Sequence, residues 1–83
     1  MDESGGIQLA SDPEALFRVL EWRMPFGKYA GRTLIDLPQP YLVWFAQQGW
    51  PAGTLGEALA LTLEIKHNGL EAMVRAIPLD QLS

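Results

Sequence analysis

Half of the basic side chains in this 83-residue sequence, Arg23, Lys28 and Arg32, fall in one segment, and no acid follows Glu21 until Asp36. The segment Met24-Pro25-Phe26-Gly27-Lys28-Tyr29-Ala30-Gly31-Arg32 is rich in turn formers. Such a set suits an oxyanion. Backbone amides beside glycines approach a phosphate closely, and Lys28 and Arg32 neutralise it. Tyr29 can stack on a base or donate to a phosphate. Arg23, Lys28, Tyr29 and Arg32 are therefore the candidate nucleic-acid contacts. The competing explanation is that these charges are a solvated face and that Tyr29 packs across the turn.

Other chemistries find less support. A nucleotide-binding phosphate loop needs four residues between its glycines, followed by Lys and Ser/Thr at the start of a helix. Here Lys28, Tyr29 and Ala30 alone separate Gly27 from Gly31, Arg32 replaces the lysine, and Pro38 leaves no room for a long helix. Glu64-x-x-His67 has the spacing used in di-iron bundles, but those need a second such pair and further glutamates. With one histidine and no cysteine, the sequence is short of nitrogen and sulfur ligands, so no metal and no cofactor is expected. Ser4, Ser11 and Ser83 stand in tails or at a helix cap, with no base that spacing places beside them. Any two carboxylates among ten acids would make an unspecific glycosidase-like pair. A chain this short is poorly suited to enclosing a pocket of roughly 300–1,000 Å³. The expectation is a protein that is not an enzyme and has no catalytic residues.

The elements that hold the basic segment can be read from caps and spacing. Ser11 or Asp12 caps a first helix, Pro13 suits its first position, and Leu16, Phe17, Val19, Leu20 and Trp22 give it an apolar face. Pro25 stops it before Met24. Residues 26–32 read as a β-hairpin whose two glycines accept positive φ, with Arg32-Thr33-Leu34 as the return strand. Pro40 opens a second helix over Tyr41–Gln48, closed by Gly49. A third runs from Thr54 or Leu55 to His67. There Leu59, Leu61, Leu63 and Ile65 alternate like a strand, but the surrounding Glu, Ala, Leu and Lys residues favour helix. A short fourth helix spans Leu70–Ala76. Trp22, Trp44 and Phe45 are expected in the core, as large aromatics are in a small domain. Trp50 is also read as core; beside Pro51 it is the aromatic expected nearest the surface, and there it is the alternative candidate contact for a protein partner.

Composition bounds the class. A hydrophobic share of 48% fits a globular domain. A net charge of −4 argues against general charge-driven binding to nucleic acid or to an anionic membrane, and leaves room for a local basic site. No apolar run approaches the roughly 20 residues of a membrane span. Absence of cysteine excludes disulfides. The acidic, polar start does not read as a secretory signal, so a cytoplasmic location is expected.

Taken in order, Met24-Pro25-Phe26-Gly27-Lys28-Tyr29, Gly31-Arg32, Asp36-Leu37-Pro38, Tyr41-Leu42, Trp44-Phe45, Gly49, Pro51, Gly53, Leu55-Gly56, Glu64-Ile65-Lys66 and Asn68-Gly69-Leu70-Glu71 resemble a small bacterial family of unknown function. That family is labelled as putative quorum-sensing-regulated virulence factors. The resemblance covers roughly residues 20–79. The shorter pattern, Met-Pro-Phe-Gly-Lys-x-x-Gly with Leu-Pro and Tyr-Leu-x-Trp, also resembles a segment appended to some proofreading-type exonucleases. That likeness implies nucleic-acid contact by analogy, without the catalytic carboxylates, which belong to a separate domain. Ala30 and Ala52 stand where relatives often carry lysine, and Trp50 where phenylalanine is usual.

The sequence thus predicts an α+β fold: a small single domain, residues 11–79, of three or four helices with a short two-stranded β-hairpin. Residues 1–10 and 80–83 read as tails. The functional expectation is a binding module that contacts nucleic-acid phosphates through the hairpin. The alternative is a protein-interaction or regulatory module.

Overall fold

The computed structural model describes residues 12–78 and Asp80. The expected tails, apart from Asp80, lie outside the described residues. The chain forms α1 (Pro13–Glu21), a 3-10 turn (Leu34–Asp36), α2 (Gln39–Gln48), α3 (Thr54–His67) and α4 (Glu71–Arg75). Local chemistry explains the helix starts. The Asp12 carboxylate accepts the Ala15 N–H at 3.2 Å, and a proline sits in the first turn of both α1 and α2. At the other end of α3, the Asn68 side chain donates to Glu64 O at 2.8 Å.

The α+β expectation is overturned: the described residues are helical and contain no strand. What the sequence suggested as a hairpin is one isolated antiparallel bridge, Arg23 with Thr33. Its hydrogen bonds show why no ladder grows. Leu34 N–H donates to Trp22 O at 2.9 Å and Met24 N–H donates to Arg32 O at 2.8 Å. The next rung fails because the Arg32 N–H turns back to Tyr29 O at 3.0 Å, and Gly31 N–H takes Met24 O instead. On the far side, Leu34 enters the 3-10 turn rather than continuing extended. That turn carries two adjacent apolar residues into different places, which a strand, with its alternating faces, would do across a sheet.

α3 is the central element and packs against α1, the 3-10 turn, α2 and α4. One core cluster comprises Met24, Leu34, Leu37, Leu42, Ala58 and Leu59. The other comprises Leu16, Val19, Ile35, Ile65 and Val74. Leu34 and Ile35 thus plug one cluster each. The alternation of Leu59, Leu61, Leu63 and Ile65 is resolved as helix because α3 meets neighbours on several sides. Thr62, fully buried, satisfies its hydroxyl by donating to Ala58 O at 2.7 Å. No helix among the described residues is long and apolar enough to cross a membrane.

Candidate functional site

The basic loop leaves α1 at Trp22, whose backbone is extended, and is pinned by Met24, which is 1% exposed in the first core cluster. Gly27 and Gly31 take φ of 82° and 87°, as the sequence required of its turn. This geometry divides the three cations. Arg23, itself exposed, turns back along the loop and donates from Nη1 to Gly31 O at 2.9 Å. Lys28 and Arg32 converge on one ring: Lys28 Nζ lies 5.5 Å and the Arg32 guanidinium 5.2 Å from the centroid of Tyr29. Tyr29 in turn meets Tyr41 of α2 edge-on at 4.8 Å.

Among the described residues, none of these three cations is paired with a carboxylate; the ion pairs are Arg18–Glu14, Lys66–Glu71, Arg75–Asp36 and Arg75–Glu71. Asp36, the next acid along the chain, is engaged by Arg75 at 2.7 Å. Hydrogen bonds to Asp36 and then Glu71 hold the Arg75 pKa above its ordinary value. Those from Lys66 and then Arg75 hold Glu71 below the ordinary carboxylate value. This network ties α4 to α3 and to the 3-10 turn, on elements separate from the loop.

Beside the cations lies a surface that the sequence reading did not find. Tyr41, Trp44 and Phe45 share one side of α2 by their spacing. Tyr41 stacks with Trp44 at 6.0 Å, Phe45 meets Tyr41 and Trp44 edge-on at 5.8 Å each, and Phe26 from the loop reaches Phe45 at 6.4 Å. Phe26, Gly27, Lys28, Tyr41, Trp44 and Phe45 line an open groove of about 420 Å³. Burial, and then the neighbouring Tyr29, pushes the Tyr41 phenol above its ordinary value, so it remains a neutral hydroxyl.

Trp44 is 52% exposed and Phe26 46%, and Trp22 is also exposed. The expectation that Trp22 and Trp44 are core residues is therefore corrected. Trp50 is half-buried, stacked on Phe45 at 5.7 Å, and borders a second open groove of about 380 Å³ with Val43, Ala46, Leu63 and His67. A signal for the exposed aromatics was present: Tyr41 to Ala46 is apolar all the way round the helix, yet an edge helix of a small domain buries one stripe. Only Leu42 of α2 is fully buried.

Glu64 and His67 are exposed on α3, and among the described residues no three His, Asp or Glu side chains gather where a metal could bind.

Comparison with known proteins places the chain. Residues 12–77 match the family model described as "Putative quorum-sensing-regulated virulence factor". The uncharacterized protein YpeB of Escherichia coli strain K12 is 49% identical over 67 residues, covering 80% of this chain and 93% of the relative. The same protein of Escherichia coli O157:H7 matches to the same extent. No solved structure gives a significant match. With nearly all the described residues inside the family model and half of the aligned residues shared with YpeB, the chain belongs to the putative quorum-sensing-regulated virulence factor family.

Proposed function

We propose that this domain is a non-enzymatic binding module that contacts nucleic-acid phosphates through Lys28 and Arg32, with Arg23 and Tyr29 shaping the loop. The observation that carries this reading is the convergence of Lys28 and Arg32 on the Tyr29 ring, with no carboxylate partner among the described residues. Two cations held beside one aromatic ring present positive charge in one place on an otherwise acidic chain. The likeness of Met24–Arg32 to segments appended to proofreading exonucleases supports the reading by analogy.

Oligonucleotide titration at several salt concentrations tests it. Binding through two or three phosphate contacts has a log–log salt slope of about −1.4 to −2.7. Lys28→Ala with Arg32→Ala abolishes most binding at low salt. Absence of binding by both single-stranded and duplex oligonucleotides at low salt rejects the proposal.

A second reading, a protein-interaction module, draws on the groove beside Trp50, where Val43, Ala46 and Leu63 meet Glu64, His67 and Asn68. It requires a purified partner whose affinity falls with Trp50→Ala and is indifferent to Lys28 and Arg32.

A further inference from the structure

We infer that the loop and α2 together bind an unpaired nucleic-acid strand, with at least one base stacked in the groove lined by Phe26, Tyr41, Trp44 and Phe45. The inference rests on the phosphate-contact reading above and adds to it the state of the strand and a second set of contacts.

Three observations carry it. First, the groove and the cations are continuous. Lys28 is itself a lining residue, and Tyr29, which carries both cations, touches Tyr41 of the groove. A base in the groove therefore leaves its phosphate near Lys28 and Arg32. Second, the lining presents π-surface. Trp44 and Phe26 are about half exposed, although a small domain gains by burying such rings. Aromatic faces next to a cationic track are what a single strand requires, since every base has a π-face to stack. Bases in a duplex are already stacked on each other and offer only their edges in the grooves.

Third, the charge is confined. A net charge of −4 with two cations converging on Tyr29 suits a few phosphates and opposes the long, dense phosphate lattice of a duplex. The charge complementarity also favours a polyanion over a proline-rich peptide, which aromatic grooves otherwise accept.

The groove has no amide or carboxylate side chain among its lining residues. Its polar side chains are Lys28, taken here by phosphate, and the Tyr41 hydroxyl, so contact with bases is mainly through aromatic faces. Binding is expected to tolerate base sequence, with little difference between a pyrimidine run and a mixed strand of equal length.

The test measures affinities of the intact protein for short oligo(dT), oligo(U) and a duplex at low salt. The single strand, in one sugar or both, binds at least tenfold more tightly than the duplex. Trp44→Ala and Phe26→Ala each weaken single-strand binding roughly 5- to 150-fold without changing the salt slope. Trp44→Phe retains most of the binding and loses most of the tryptophan quenching that accompanies it, which a merely structural role for Trp44 would not produce. The melting temperature of each variant, measured alongside, separates a lost contact from a lost fold.

Equal affinity for duplex and single strand, or full binding by both aromatic variants, overturns the inference and leaves the phosphate reading standing. Failure of every oligonucleotide overturns both. A proline-rich peptide that binds more tightly than any oligonucleotide, with an affinity lowered by Trp44→Ala and indifferent to Lys28→Ala and Arg32→Ala, overturns the inference about the groove alone.

Discussion

Gly56 of α3 lies directly against the carbonyl oxygen of Pro51, so closely that a β-carbon at position 56 would fall far inside van der Waals contact with it. The Pro51 carbonyl carbon at 3.0 Å and the Trp50 Cβ at 3.4 Å are the next obstructions from the same segment. The first turn of α3 is thereby seated on the Trp50-Pro51 bend that links it to α2. Helix propensity alone favours alanine here by about 1 kcal/mol. The contact dictates the opposite sign. Gly56→Ala is expected to destabilise the domain by about 1–3 kcal/mol, read as a lower urea midpoint. An unchanged or raised midpoint would show that the bend moves away freely.

Gly31 poses a different constraint. Its β-carbon would meet nothing within 4 Å, but its φ is +87°. The cost of Gly31→Ala is therefore backbone strain alone, about 1–2 kcal/mol. Gly31→Asn should cost less, because asparagine tolerates the left-handed region better. Thermal melts of the two variants check the order. An equal loss for both would point to the Gly31 amide and carbonyl, bonded to Met24 and Arg23, as the sensitive groups.

Burial separates Leu59 from Trp44. Leu59 is fully buried at the centre of the first core cluster, so Leu59→Ala should cost about 2–5 kcal/mol. Trp44, larger but 52% exposed, should lose distinctly less on truncation to alanine. Chemical denaturation of both variants gives the comparison. A larger loss at Trp44 would mean that the aromatic face contributes more to the fold than its exposure indicates.

The carboxyl of Glu71 binds Lys66 at 2.9 Å and Arg75 at 2.7 Å. Its pKa is lowered in the folded state from an ordinary value of 4.5. The sign of the pH dependence follows. Above that ordinary value both folded and unfolded chains carry the charge, and the stabilisation is complete. As pH falls below it, the unfolded chain takes up the proton first, and the contribution is lost as pH passes through the lowered folded value. Glu71→Gln should therefore cost about 0.5–1 kcal/mol at neutral pH, held down by solvent screening. The difference from the wild type should shrink toward zero in acid. A difference that persists in acid after the folded carboxyl has itself been protonated would assign the effect to packing rather than to charge.

Local chemistry made much of this protein legible. Asp12 and Pro13 mark the start of α1, Pro40 lies in the first turn of α2, and α3, expected from Thr54 or Leu55 to His67, runs from Thr54 to His67. Gly27 and Gly31 adopt the positive φ their turn needed. These features depend on residues within a few positions of one another, so the sequence carries them by itself. The ordered blocks from Met24 to Glu71 likewise pointed to the family that the comparison established.

Tertiary structure decided the rest. Whether residues 23–34 formed a ladder or one bridge depended on where the Arg32 N–H and Leu34 were drawn. Tyr29 O took the first, and the core took the second into a 3-10 turn. Whether Trp44 was core or surface depended on how many neighbours cover α2, a quantity fixed by packing and not by the type of residue. Likewise, the sequence set Arg23, Lys28 and Arg32 close together along the chain. Only the folded loop turned Arg23 back onto Gly31 and brought Lys28 and Arg32 to the ring of Tyr29, because side-chain direction follows from backbone geometry that spacing does not encode.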